Sequence, residues 1–245
     1  AAQALLAADA DATVNELLHK TAYCNNSLGR STLATDRSLS YFTPETIRNY
    51  MLDHFAPENM VLVGVNVANS ELSKWAMRSF VDYNAIPFKA RDAPASTYTG
   101  GSAMVDGATP FCHLAIGLES AAWGSSDLGA ATLLQTLLGS GNTSSTSLGA
   151  GGGRLVNQVL KQSPYVESVA AFNTVYSDSG LFGVYAVCEP HHAGDVAASV
   201  GSVLAGLTNV SEEELTRAKA QFKGNLLRQA DDAHAVMQDI GTQVL

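Results

Sequence analysis

The sequence predicts an α+β fold in which helices are layered on a largely antiparallel sheet. Three observations predict it. Apolar residues recur at helical spacing in most segments, a few short β-branched runs interrupt them, and two of those runs are joined by a tight turn rather than a crossover helix. Composition agrees, because 46% of the 245 residues are hydrophobic and that much apolar material can offset the entropy of ordering. Only 15% are charged, well below the usual share, which suits a subunit whose faces are covered by partners. The 23 acidic and 14 basic residues give a net charge of −9, so a dedicated nucleic-acid binder would work against its own field. No apolar run reaches the ~18–20 residues that span a bilayer.

The opening residues, Ala1-Ala2-Gln3-Ala4-Leu5-Leu6, favour helix but have no cap and no basic n-region of a signal peptide. Helical spacing runs from Thr13 to Tyr23, with Leu17, Leu18 and Ala22 inward. After a Ser/Thr/Asn-rich loop, Thr43-Pro44-Glu45 starts a helix with a capping hydroxyl, a proline in the first turn and an acid at the positive dipole end. Ile47, Met51 and Phe55 line its inner face, and Pro57 ends it. Met60 to Val67 (MVLVGVNV) reads as a buried strand, with a helix carrying Leu72, Trp75, Ala76 and Phe80 packed on it. Pro87, Pro94 and Gly100-Gly101 mark a linker, so the domain boundary is expected near residue 93, dividing 1–93 from 94–245.

Beyond the linker, Cys112, Leu114, Ile116 and Leu118 alternate on one face of a strand. Ser125 or Ser126 caps a helix bearing Leu128, Leu134, Leu137 and Leu138, and a Gly/Ser/Thr-rich loop leads from Gly139 to Gly153, with a helix from Arg154. Val166 to Tyr176 and Leu181 to Val187 form a hairpin about Ser177-Asp178-Ser179-Gly180. Val196, Val200, Val203 and Leu207 mark a helix, and Ser211 with Glu214 is a capping box opening a long final one. The chain then stops at Leu245 without a helix-stop signal, so both ends read as interior to a longer protein. Leu5-Leu6 and Asp11-Ala12 recur as Leu226-Leu227 and Asp232-Ala233, which would fit a tandem duplication.

Several motifs could carry chemistry. Cys188, His191, His192 and Asp195 gather four possible metal ligands in eight residues, though a solvated strand-to-helix connection explains them as well. Zinc peptidases need two histidines four apart with a glutamate base, and none of His19, His54, His113, His191, His192 and His234 has such a mate. Asp178-Ser179-Gly180 reads as turn residues and not as a nucleophile elbow. The glycines before Arg154 follow a helix and lack the G-K-[ST] ending of a phosphate loop; they form either a plain connection or a strip of exposed backbone for an extended peptide. The cysteines, Cys24, Cys112 and Cys188, are odd in number and form no CxxC, which favours a reducing compartment over a disulfide scaffold.

Taken in order, a series of segments resembles the pitrilysin-like metallopeptidases. They are Leu18-His19-Lys20-Thr21-Ala22-Tyr23, Phe42-Thr43-Pro44 through His54-Phe55, Met60-Val61-Leu62-Val63-Gly64, Tyr98-Thr99-Gly100-Gly101, Glu119-Ser120-Ala121-Ala122-Trp123-Gly124 and Leu137-Leu138-Gly139-Ser140-Gly141. Ala171-Phe172-Asn173, Tyr176-Ser177-Asp178-Ser179-Gly180-Leu181-Phe182-Gly183, Ala193-Gly194-Asp195-Val196 and Arg217-Ala218-Lys219 complete it. The likeness is greatest to the non-catalytic branch, which holds the core proteins of respiratory complex III and the α subunits of mitochondrial processing peptidase.

That resemblance implies layered helices on a sheet in duplicated halves, with 1–93 closing the first domain and 94–245 opening the second. It implies no catalytic residue, metal or cofactor, since residues 1–12 also lack the glutamate expected of a zinc-site remnant. It implies a structural role on the matrix side of the mitochondrial inner membrane, beside a homologous core or β-type subunit, cytochrome b, cytochrome c1 and the Rieske subunit. The alternative it carries is presequence binding through a glycine-rich loop, here Gly139, Gly141, Gly149, Gly151, Gly152 and Gly153. Asn142 to Ser147 interrupt those glycines.

Overall fold

The computed structural model describes residues 9–80, 94–107, 109–143 and 152–244. In chain order its elements are helices α1 (Ala10–Ala22), α2 (Asp36–Leu39), α3 (Pro44–His54) and α4 (Asn69–Ser79), then strand β1 (Cys112–Ser120) and helix α5 (Leu128–Leu138). Strands β2 (Ser140–Asn142), β3 (Val166–Val175) and β4 (Gly180–Cys188) follow, then helices α6 (Ala193–Ala205), α7 (Glu212–Asp231) and α8 (Ala233–Val244). Residues 1–33 with 94–222 form one compact unit, and 34–93 with 223–245 form another.

The first unit is built on a four-stranded antiparallel sheet in the order β1-β4-β3-β2. Ala186, Val184 and Phe182 of β4 and Val169 of β3 point to one face, where Val196, Val200 and Val203 of α6, Leu138 of α5 and Leu155, Val156, Val159 and Leu160 close the core. On the opposite face Leu181 packs with Ala22 and Tyr23 at the end of α1, beside Leu18, Tyr98 and Phe172. Cover on both faces explains why β4 is almost wholly apolar instead of alternating. Gly117 and Gly183 are opposite each other, and a Cβ on Gly183 would sit 2.0 Å from the Ile116 carbonyl oxygen and 2.7 Å from the Phe172 ring. Glycine there lets the aromatic ring lie against the strand.

Local signals account for several element ends. Asp9 caps α1 by accepting the Asp11 and Ala12 N–H groups at 3.1 and 3.2 Å. The expected start of α3 is a capping box between Thr43 and Thr46, with bonds of 3.2 and 2.7 Å. Glu214 and Ser211 close the box expected before α7, at 3.2 and 3.3 Å. At α5 the cap position belongs to Asp127 and not to a serine; Ser125 Oγ instead accepts the Asp127 N–H at 3.2 Å. After Arg154 the helix widens into a π turn over Val156–Leu160, where the Lys161 N–H reaches the Val156 carbonyl at 3.0 Å.

In the second unit the expected strand over Met60 to Val67 is not formed. The backbone is extended at Met60 (φ −119°, ψ 135°), yet no described strand pairs with it, and Met60, Val61, Leu62 and Val67 are exposed. β-Branched composition prepares a segment for pairing, but a strand also needs a neighbour's N–H and C=O groups. The expected inner face of α3 is likewise open, with Ile47, Met51 and Phe55 exposed, and Trp75 of α4 is 63% exposed. Among the described residues no helix is long and apolar enough to cross a membrane.

Candidate functional site

The glycine-rich segment begins as a helix end. Gly139 closes α5 at φ 72° and ψ −167°, and its N–H reaches the Gln135 carbonyl at 2.9 Å. Ser140 to Asn142 then pair with β3, so part of the expected loop is strand. A Cβ on Gly153 would lie 2.1 Å from the Leu138 carbonyl oxygen, and one on Gly141 or Gly152 would press on Val156 at 2.9 or 2.8 Å. These four glycines therefore let the end of α5, β2 and the Val156 turn approach closely. Gly149 and Gly151 lie outside the described residues.

The structure does not bring Cys188, His191, His192 and Asp195 together as a ligand set. Cys188 is fully buried at the end of β4, while His191 is exposed. His192 stacks on Tyr165, with ring centres 4.1 Å apart, and its Nδ1 lies 3.3 Å from Asp195. Among the described residues no three His, Cys, Asp or Glu side chains could hold a metal ion.

A polar cluster that the sequence did not announce lies between α1 and the outer face of the sheet. The Tyr185 hydroxyl donates to Asp11, and His113 Nδ1 lies 2.6 Å from that hydroxyl and 3.2 Å from Asp11. Since the tyrosine proton is directed at the carboxylate, His113 Nδ1 must be the donor to the phenol oxygen. Burial first, then the Asp11 carboxylate, pushes the Tyr185 phenol far above its ordinary range, so it stays protonated. Beside it is a cavity of about 230 Å³ walled by Val14 and Leu18 of α1 and Ala115, Phe172 and Tyr185 of the sheet. Farther along α1, His19 Nδ1 faces the Asn15 carbonyl at 2.7 Å and Nε2 faces the Tyr176 hydroxyl at 2.6 Å. In the neutral ring Nδ1 donates and Nε2 accepts. The only sequence signal for these contacts is Tyr185, a lone polar ring in an apolar strand.

The hairpin turn is held as firmly. Tyr23 donates to the Gly180 carbonyl at 3.0 Å and meets Ser179 Oγ at 3.0 Å, while Asp178 accepts the Ser96 N–H at 2.7 Å. That backbone bond holds the Asp178 carboxyl below its usual range. Ser179 is thus a buried clamp for Tyr23, in keeping with its reading as a turn residue and not a nucleophile. Arg154, 8% exposed, grips Glu214 through Nε and Nη2 at 2.9 and 2.8 Å and donates to the Gly206 and Asn209 carbonyls at 2.7 and 2.6 Å. These groups bind parts of the protein to one another, and none poises an activated nucleophile.

Comparison with known proteins places this geometry. Residues 41–222 match the profile of the peptidase M16 inactive domain. A probable mitochondrial-processing peptidase β subunit of Arabidopsis thaliana is 32% identical over 245 residues, covering 96% of this chain and 45% of its own length. A probable α subunit of that peptidase from Schizosaccharomyces pombe is 32% identical over 249 residues, covering 96% and 49%. Subunit 2 of the rat mitochondrial cytochrome b-c1 complex is 31% identical over 237 residues, covering 94% and 50%. The chain thus spans about half the length of the curated relatives it matches. A chain of complex III2 from Candida albicans, solved with Inz-5 bound, has the same fold: TM-score 0.86 at 24% identity, over 100% of this chain and 59% of that one.

Proposed function

The chain belongs to the peptidase M16 family, and from that premise we propose that it is part of a non-catalytic core subunit of mitochondrial complex III. Its role is structural. It sits peripherally on the matrix side of the inner membrane, paired with a homologous core or β-type subunit and docked to cytochrome b, cytochrome c1 and the Rieske subunit. The observation that carries this reading is the glycine segment, whose four described glycines are each accounted for by close packing within the fold. Two further facts support it: none of the six histidines has a second histidine four residues away, and the matching profile is that of an inactive domain. The division into 1–93, closing one domain, and 94–245, opening the next, is part of the proposal; the two compact units meet at residue 93 but each also draws on the other side of it, 1–33 with 94–222 and 34–93 with 223–245.

The second reading is the α subunit of a processing peptidase, using Gly139 to Gly153 to take up basic presequences. The net charge of −9 and the identity to both peptidase subunits favour it. Native separation of gently solubilised mitochondria, with mass spectrometry of co-migrating chains, tests the choice. Co-migration with cytochrome b and the Rieske protein is expected. A small heterodimer with a zinc-motif partner, free of cytochromes, would overturn the core-subunit reading. Deleting residues 144–147 should leave complex assembly intact, and a loss of presequence cleavage would instead support the α-subunit reading.

A further inference from the structure

Cys112 and Cys188 are 76 positions apart in the chain but directly opposite in the antiparallel register of β1 and β4. Partners in such a register point to the same face, and both side chains join the same core cluster. We propose that they form an oxidation-sensitive dithiol, a site where peroxide closes a cross-strand disulfide that fastens the edge strand β1 to the centre of the sheet. Both are free thiols in this structure; Cys188 is fully buried and Cys112 half-buried.

The geometry asks for little movement. Opposite Cβ atoms in an antiparallel pair are about 4.5–5.5 Å apart, and a disulfide needs about 3.5–4.5 Å. Cys112 is the first residue of an edge strand, preceded by the exposed Phe111, so closing that gap bends a strand end and not a strand centre. The roles follow from exposure. Peroxide reaches Cys112 and transfers one oxygen to its sulfur, giving a sulfenic acid and water. The Cys188 sulfur then attacks the Cys112 sulfur, the S–S bond forms, and the hydroxyl leaves as a second water with the Cys188 proton. Burial first, then the neighbouring Cys112, pushes the Cys188 thiol up to about 11, so the second step is slow at neutral pH and quickens as pH rises.

The test uses the Cys24→Ser chain, which removes the exposed third thiol. After hydrogen peroxide treatment, unfolding and alkylation, intact mass should show two hydrogens lost and no alkylated cysteine. Peptide mapping should join the segments holding residues 112 and 188, and thermal unfolding should move to higher temperature. Adding Cys188→Ser should leave Cys112 as a sulfenic acid that dimedone captures, whereas dimedone should capture little in the chain that keeps Cys188, because the second thiol resolves the sulfenic acid. Cys112 found as sulfinic acid with Cys188 still alkylatable would overturn the proposal. So would two intact thiols in a chain whose near-ultraviolet circular dichroism shows it folded.

Discussion

Replacing Glu214 with glutamine should destabilise the sheet-bearing unit by about 2 kcal/mol and remove a specific part of its acid sensitivity. The Arg154 guanidinium is nearly buried, and its hydrogen bonds hold the Glu214 carboxyl at about 2 against an ordinary value of 4.5. At about 1.4 kcal/mol for each tenfold change in proton affinity, that depression sets an upper bound of about 3.5 kcal/mol. The Glu214 side chain is 28% exposed, and solvent screening brings the expectation to about 2 kcal/mol. The unfolded carboxyl takes up its proton near 4.5 and the folded one only near 2, so stability is fully present above pH 4.5 and drains as pH falls through that interval. Urea unfolding from pH 7 down to 2.5 reads both effects. Glutamine keeps the shape but removes the charge, so the variant should lose stability at pH 7 and show a flatter acid limb. A loss at pH 7 below about 0.5 kcal/mol, as for an exposed ion pair, or an unchanged acid limb would refute the reasoning. A cycle with Arg154→Met separates the pair from the two carbonyls that Arg154 also satisfies.

Gly183→Ala puts a methyl against the Ile116 carbonyl and the Phe172 ring, and should cost at least about 2 kcal/mol by chemical denaturation. Tyr23→Phe keeps the buried ring but strands the Gly180 carbonyl, and should cost about 1–2 kcal/mol in the same assay. Val63→Asp should cost about 1 kcal/mol and leave a normal melting transition, since Val63 is half-buried on an unpaired segment. Failure of that variant to fold would show that Met60 to Val67 is a buried strand after all.

The parts legible in the sequence were those fixed by neighbours in the chain. Thr43-Pro44-Glu45 carries its own cap, and Ser211 with Glu214 carries another. The β3–β4 hairpin declares itself through two β-branched runs and a short polar turn. What depends on distant partners was not legible. Met60 to Val67 has the composition of a strand but no mate among the described residues, whereas Ser140 to Asn142 has poor composition and pairs because β3 supplies the bonds. Arg154 reads as an ordinary helix residue until the fold sets Glu214 60 residues away against it. The same holds at the site. Asp11, His113 and Tyr185 share no local motif, and the two core cysteines look unrelated until the strand register sets them opposite.

The clamp at the hairpin has a cost during synthesis. Tyr23 is 156 residues from the Ser179 hydroxyl that receives it. At about 5–20 residues per second, a ribosome needs roughly 8 to 30 s to make that distance. For all that time α1 has no sheet to lie on, and Leu18, Ala22 and Tyr23 meet water or another chain. The β3–β4 hairpin, closed by a short turn, can form within microseconds of its emergence, whereas β1 must wait for β4 before it has a neighbour. Until β4 emerges the nascent chain therefore carries an adhesive amphipathic helix with its apolar face uncovered, and that interval is when a chaperone would matter most to it.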